Sequence, residues 1–224
     1  NHQAEGKVLR IIGHKNDPGV DILSIVEKYH INSSFPEDVV EEVKSLPMEV
    51  SDDDMKGRRD LRDKVIFTID GDDTRDIDDA VSIDKKENGN YVLGVHIADV
   101  SYYVKEGSPL DKEAMDRGTS VYLVDRVIPM LPHELSNGIC SLNPNVDRLA
   151  QSCIMEIDSK GNVVSHEIFE SVIRSRIQMT YNKVNDILDK GIVDPDYNLY
   201  VDDLKMMKEL SDILRKKMVN RGYI

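Results

Sequence analysis

Between Val65 and Asp84 the chain reads VIFTIDGDDTRDIDDAVSID, and no other stretch restricts the fold as tightly. A short apolar run leads into a loop crowded with carboxylates, and Ala80–Ile83 reads as a second strand. Seven aspartates fall in this span: Asp70, Asp72, Asp73, Asp76, Asp78, Asp79 and Asp84. Carboxylates so close raise one another's pKa and repel unless a cation or hydrogen-bond donors intervene. Arg75 is the only cationic side chain inside the loop. The stretch therefore predicts a strand–loop–strand unit built around a divalent-metal site.

With 224 residues, the chain is long enough for one large or two small domains. Its 40% hydrophobic and 32% charged residues describe a globular chain rather than a disordered one. Apolar runs stay far below the ~18 residues of a transmembrane span, and the N-terminus lacks the layout of a signal peptide. Cytoplasmic residence, with no membrane partner, is the default expectation. Cys140 and Cys153 are the only thiols, without CxxC spacing, and both read as small core residues. A net charge of −13 argues against nucleic-acid binding by bulk electrostatics. It leaves room for an enzyme whose acidic site holds cations that in turn meet phosphate.

Along the chain, Gly6–Ile12 alternates as a strand. Asp17-Pro18 predicts a helix start with an inward stripe of Ile22, Ile25, Val26 and Tyr29. Pro36 opens a second helix with Val39, Val40, Val43 and Leu46 inward. In the polar connector Met48–Asp63, Ser51 and Asp54 have capping-box spacing. Arg58, Arg59 and Arg62 there read as a self-paired surface, with a tether to the aspartate loop or a phosphate contact as the sharper alternative. Asn88-Gly89-Asn90 marks a hairpin into Tyr91–Val100, whose buried face is read as Tyr91, Leu93, Val95 and Ile97. His96, on the other face, is read as a hydrogen-bonded core residue, and Asp99 as a helper of the acidic site. Pro109–Arg117 is a helix capped by Ser108 and closed by Gly118. Ser120–Val124 is a strand bearing Tyr122, and Pro129–Ser141 is irregular with a helical turn near His133–Ser136. Leu149–Asp158 and Val163–Ser175 form a second hairpin, Thr180 caps a helix to Leu188, and an amphipathic helix runs from about Leu199 to Arg221.

Asp70, Asp76, Asp78 and Asp79 can reach a common point if the loop curls back, one from the strand end and three from the return. Mg²⁺, or Mn²⁺, suits such a set because hard ions take carboxylate and water oxygens. Water activated there would attack a phosphodiester in line. An EF-hand fails on spacing: counted from Asp70, Arg75 and Val81 stand where Gly and Glu are required, and counted from Asp76, Val81 again replaces the Gly. A haloacid-dehalogenase-type phosphatase fits DxDxT with Asp70 as nucleophile and Asp72 as acid/base. It expects a helix next, however, and leaves Asp76, Asp78 and Asp79 without a task. A plain acidic surface turn is the remaining alternative.

TIDGDDTRDIDDAVSI, then HIADVSYYV, then PLDKEAMDRGTSVYLVDRVIPMLPHELSNGICSLNPNVDRLAQSC, resembles the catalytic domain of the ribonuclease R / ribonuclease II (RNB) exoribonucleases, nearer the ribonuclease R branch. The likeness runs from about Asp60 to at least Leu188. EGKVLRIIGHKND resembles the end of the cold-shock (OB-type) domain that precedes it. The resemblance implies Mg²⁺-dependent hydrolytic 3′→5′ degradation of single-stranded RNA to nucleoside 5′-monophosphates. It places the family's four site aspartates on Asp70, Asp76, Asp78 and Asp79, with Asp78 the most sensitive. The tyrosine that stacks near the 3′-terminal nucleotide falls on Tyr122. Gln178 stands where relatives often carry a basic residue. The family's arginine-bearing SPIRRY segment and S1 domain have no counterpart here.

The expectation is an α+β chain: residues 1–16 the end of a cold-shock domain, 17–63 a helical linker, and 64–224 the N-terminal part of an RNB catalytic domain with a mixed or antiparallel sheet. It is expected to be a monomeric fragment, weak or inactive alone. A non-catalytic RNA-binding module stays open as a further alternative.

Overall fold

The computed structural model describes residues 6–223. Helices α1 (Val20–Lys28) and α2 (Glu37–Ser45) come first. Strands β1 (Arg59–Asp60), β2 (Thr68–Asp70), β3 (Asp79–Lys85) and β4 (Tyr91–Ala98) follow. Helices α3 (Val100–Tyr103) and α4 (Pro109–Arg117) precede the short strands β5 (Val121–Tyr122) and β6 (Val127–Ile128). A π-helical turn (Glu134–Ile139) leads to β7 (Asp147–Ile157), β8 (Val163–Arg174) and β9 (Gln178–Thr180). Helix α5 (Tyr181–Lys190), a 3₁₀ turn (Pro195–Tyr200) and α6 (Val201–Asn220) complete the described chain. The α+β class holds. The chain divides into two compact units, Asn1–Ser45 with Lys105–Pro132, and Leu46–Val104 with His133–Ile224.

In the first unit α2 lies against α4. Val39, Val43 and Leu110 are buried, and the Glu42 carboxylate accepts a 2.8 Å bond from the Leu110 amide. The ends of α4 follow the sequence. Ser108 caps it, Pro109 occupies the first turn, and Gly118 closes it in the left-handed region at φ 70°. Arg117 stacks on Phe35 at 3.9 Å and donates to the carbonyls of Asn32, Ser34 and Pro129. Two expectations change. Gly6–Ile12 forms no strand and exposes Val8, Leu9 and Ile11, because alternation supplies propensity but a strand also needs a ladder partner. Helix α1 is entered through Gly19, left-handed at φ 83°, while Asp17 accepts from the His14 amide; Ile25 and Tyr29 stay exposed.

The second unit holds a five-stranded sheet ordered β1-β8-β7-β4-β3, mixed because β1 runs parallel to β8 and the other pairs are antiparallel. Both faces are covered. One carries Ala80, Ala98, Ala150 and Ile173 under Leu61, Ile66, Ile77 and Leu142. The other carries Ile83, Tyr91 and Ile157 under Leu210 of α6. Strand β4 is consequently buried at Tyr91 on one face and at Gly94, His96 and Ala98 on the other, whereas Ile97 is exposed. The pattern of large apolar residues marked only the Tyr91 face, where Ile97 departs from it, since small residues against a dense cover leave little hydropathy signal.

His96 is the core residue its position suggested. Its Nε2 lies 3.1 Å from Ser82 Oγ, its Nδ1 2.7 Å from Ser152 Oγ, and Ser152 Oγ 2.6 Å from Ser171 Oγ. This polar row crosses β3, β4, β7 and β8, and burial pushes the imidazole down to about 4, so it stays neutral. A separate two-stranded pair, β2 parallel to β9, sits over Phe67, Met179, Val184, Ile187, Tyr197 and Leu204.

Each connector arginine finds a partner outside the connector, and Arg62 also pairs within it, with Asp60, as the self-paired reading expected. Arg59 binds Glu167, and Arg62 binds Asp60 and Asp147. Arg58 is buried against Asp99 at 2.6 Å with its cation 5.0 Å over Tyr102, and Ser101 donates to the same carboxylate. Removing one partner of a buried pair strands the other charge. Arg58→Met should therefore cost about 3–5 kcal/mol in urea unfolding, and Arg58→Met with Asp99→Asn should recover a large part of it. Equal stability of the single and double variants would contradict this account.

Candidate functional site

Strand β2 ends at Asp70 and β3 begins at Asp79, so the acidic loop leaves one strand and returns to another. Phe67 and Val81 clamp its base by exchanging two backbone hydrogen bonds of 3.0 and 2.9 Å. Between them the loop is held by its backbone. The Gln178 side-chain amide donates to the Thr74 carbonyl at 3.0 Å. Ser141 Oγ accepts from the Ile77 amide at 3.0 Å and donates to the Arg75 carbonyl at 2.8 Å. The Leu142 amide reaches the Ile77 carbonyl, and the Ala98 amide reaches the Asp78 carbonyl, each at 2.9 Å. The Ile77 side chain, wholly buried, anchors the centre.

The seven carboxylates then differ in their partners; exposed Asp73 makes no ion pair among the described residues. Asp72 accepts from Asn182 at 2.7 Å, and Asp84 pairs with Lys64 at 2.8 Å. Asp70, Asp76, Asp78 and Asp79 make no ion pair among the described residues. Burial pushes the Asp70 carboxyl upward, opposed by the nearby Thr68 hydroxyl and reinforced by the charges of Asp79 and Asp76. Asp78 is likewise raised, by burial first and then by Asp76, Asp79 and Asp70. The four thus share one field that nothing in the described chain neutralises.

Among the described residues no three His, Cys, Asp or Glu side chains stand close enough to ligate one ion. The donor chemistry nevertheless fits a hard divalent cation. All four groups are carboxylates, two have their charged forms disfavoured by the others, and Asp70 Oδ2 is a buried acceptor with no hydrogen-bond partner. The phosphatase alternative fares worse. The loop runs into β3 rather than a helix, and Asp72 is engaged by Asn182.

Other sequence candidates are dispersed. Tyr122 lies on β5 in the first unit with its side chain exposed. Asp99 belongs to the Arg58 pair, not to the acidic group. Gln178 serves the loop backbone. Cys140 is buried, which pushes its thiol up to about 12 and leaves it inert as a nucleophile. Ser141, Arg148 and Asn182 escaped the sequence reading. Ser141 acts on residues 64 and 66 positions away, a distance no local pattern records.

The family model of the RNB domain matches residues 58–224, and that of the cold shock domain matches residues 1–36. The chain is 50% identical over 222 residues to ribonuclease R of Thermotoga maritima, covering 98% of this chain and 31% of that one. It is 49% identical to ribonuclease R 1 of Lactococcus lactis, covering 98% and 27%. Its fold superposes on Mycoplasma genitalium RNase R, solved in complex with ribose-methylated single-stranded RNA, at a TM-score of 0.88 and 30% identity over 95% of this chain and 33% of that one. The chain thus spans about a third of the length of the relatives it matches, or less. Among the described residues no helix is long and apolar enough to cross a membrane.

Uncompensated carboxylates make a stability prediction. In divalent-free buffer near neutral pH, Asp78→Asn should raise the melting temperature by about 2 °C. The raised native pKa means the penalty is fully present above that pKa, and it fades as pH falls through it toward the unfolded value. The gap between variant and wild type should therefore close on acidification and also shrink on adding Mg²⁺. A variant that melts below wild type in divalent-free buffer would refute the shared-field reading.

Proposed function

The chain belongs to the RNB-domain family, and from that premise we propose that it carries the acidic part of the active site of a hydrolytic 3′→5′ exoribonuclease acting on single-stranded RNA and releasing nucleoside 5′-monophosphates. The observation that carries this reading is the division of the aspartates. Asp70 and Asp78 are unpaired and have their carboxyls raised by burial and by neighbouring carboxylates that include Asp76 and Asp79, while Asp72 and Asp84 are engaged by Asn182 and Lys64 and Asp73 stands exposed.

In this reading the four carboxylates hold Mg²⁺, or Mn²⁺. When bound, the cation supplies Lewis-acid stabilisation of charge on the phosphodiester and lowers the pKa of water. The protein's own part is placement. Strand β2 delivers Asp70 from a buried edge, and the return of the loop delivers Asp76, Asp78 and Asp79. Ionised carboxylates beyond those that bind cation can accept the proton of an attacking water. The pinned backbone keeps these groups aimed without reorganisation, which is where preorganised sites gain most over solvent. Tyr122 offers an exposed π-face to a base, and stacking of that kind is indifferent to sequence. A negative chain can still meet RNA phosphates here, because bound cations invert the local charge.

In the protein carrying this chain, Asp78→Asn should lower Mg²⁺-dependent release of mononucleotides by at least about a thousandfold, on the scale of losing a principal charge-stabilising group. Binding of single-stranded RNA in EDTA should change by less than about twofold. Tyr122→Ala should weaken RNA binding by about 1–3 kcal/mol while the protein still binds Mg²⁺. RNA binding without hydrolysis, indifferent to all four aspartate substitutions, would favour a non-catalytic RNA-binding module instead.

A further inference from the structure

We propose that Ser141 is the positioning residue of the acidic loop, one hydroxyl that fixes the span Arg75–Ile77 and so sets the directions in which Asp76 and Asp78 leave the backbone. What the aimed carboxylates then do rests on the metal-bearing reading above.

Ser141 is fully buried, and its Oγ uses both hydrogen-bonding senses on one short span. It accepts from the Ile77 amide at 3.0 Å and donates to the Arg75 carbonyl at 2.8 Å. A hydroxyl is the smallest side chain that can be donor and acceptor at once. Asp76 sits between the two bonded groups, and Asp78 follows the second directly. The adjacent Leu142 amide holds the Ile77 carbonyl, so both polar groups of Ile77 are tied to the same foreign segment. Elsewhere the loop is bound at Asp72 by Asn182, at Thr74 by Gln178 and at Asp78 by the Ala98 amide. Without Ser141 the span carrying Asp76 would keep no side-chain tie.

The support beneath Ser141 is equally specific. Arg148, buried on β7, donates to the carbonyls of Ser141 at 2.8 Å, Asp147 at 2.9 Å and Gly138 at 3.2 Å. Its guanidinium thus spends its donors on backbone oxygens and ties the end of the π-helical turn to Ser141 just beyond it. Asn143 ties the same turn through the Asn137 carbonyl at 3.2 Å. An arginine held in this way is a rigid fork rather than an ion-pair partner. Its consequence reaches the acidic loop through the Ser141 hydroxyl and through the Leu142 amide of the same peptide unit.

The test compares wild type with Ser141→Ala and Ser141→Cys, the latter keeping a polar atom in place while weakening both hydrogen bonds. Ser152→Ala, an equally buried serine in the polar row of the sheet, is the control for general destabilisation. Two quantities are read: exchange of the Ile77 amide by hydrogen-exchange NMR, and Mn²⁺ affinity by electron paramagnetic resonance. Both Ser141 variants should exchange Ile77 about tenfold faster or more, given the net worth of a hydrogen bond. They should bind Mn²⁺ about 10- to 100-fold more weakly, the usual effect of losing an outer partner of a ligand set. Ser152→Ala should lower the melting temperature while changing neither quantity. If Ser141→Ala does not fold, Ser141→Cys decides. Unchanged Ile77 exchange, faster exchange with unchanged Mn²⁺ affinity, or the same changes in Ser152→Ala would each overturn the proposal. Failure of wild type to bind Mn²⁺ would count against the metal-bearing reading, and Ile77 exchange alone would then decide the part played by Ser141.

Discussion

Mutual repulsion among four carboxylates is the constraint around which the second unit is arranged. Asp70, Asp76, Asp78 and Asp79 cannot be held by their own side chains, because any donor that satisfied them would also occupy them. The structure answers by holding the backbone instead. Strand pairing, two side-chain amides or hydroxyls from distant elements and two foreign backbone amides grip the loop between its acidic residues. The energy of folding is thereby coupled to the geometry of the loop while its charges remain available. A loop satisfied through its carboxylates would be more stable and chemically silent, a trade common at functional sites.

Much of this was readable in the sequence where the signal is local. Helix α4 is written in full by Ser108, Pro109 and Gly118, and the hairpin turn at Asn88-Gly89-Asn90 by its composition. Ser51 and Asp54 form the reciprocal bonds of their capping box. The identity of the acidic loop is also local, since charge density needs no partner to be noticed. What escaped depends on long-range pairing. Arg58 looked like one of several surface arginines, yet its partner is Asp99, 41 positions on, and both are buried. Gly6–Ile12 has strand periodicity and no strand. The second covered face of β4 went unread because glycine, histidine and alanine bury well but contribute little apolar pattern.

The polar row Ser82, His96, Ser152 and Ser171 shows the same logic inside the sheet. Each of the four strands contributes one member: His96 stands opposite Ser152, while Ser82 and Ser171 reach the row diagonally, and all depend on the observed register. A one-residue slip of any strand would turn its polar member to the other face and leave buried groups without partners. The row therefore specifies alignment more than it adds stability.

The parallel pairing of β2 with β9 has a consequence in time. Thr68 stands beside Gln178 and Asp70 beside Thr180, and the Gln178 side chain then takes the Thr74 carbonyl 104 positions away in sequence. Contacts that close so long a segment form late, after local hairpins and helices have already lowered the entropy of closure. A ribosome would expose Asp70 to Asp79 well before the chain that organises them emerges. The emerging polypeptide thus carries its carboxylates as a diffuse, solvated charge, and the concentrated field arises only when the second unit shuts.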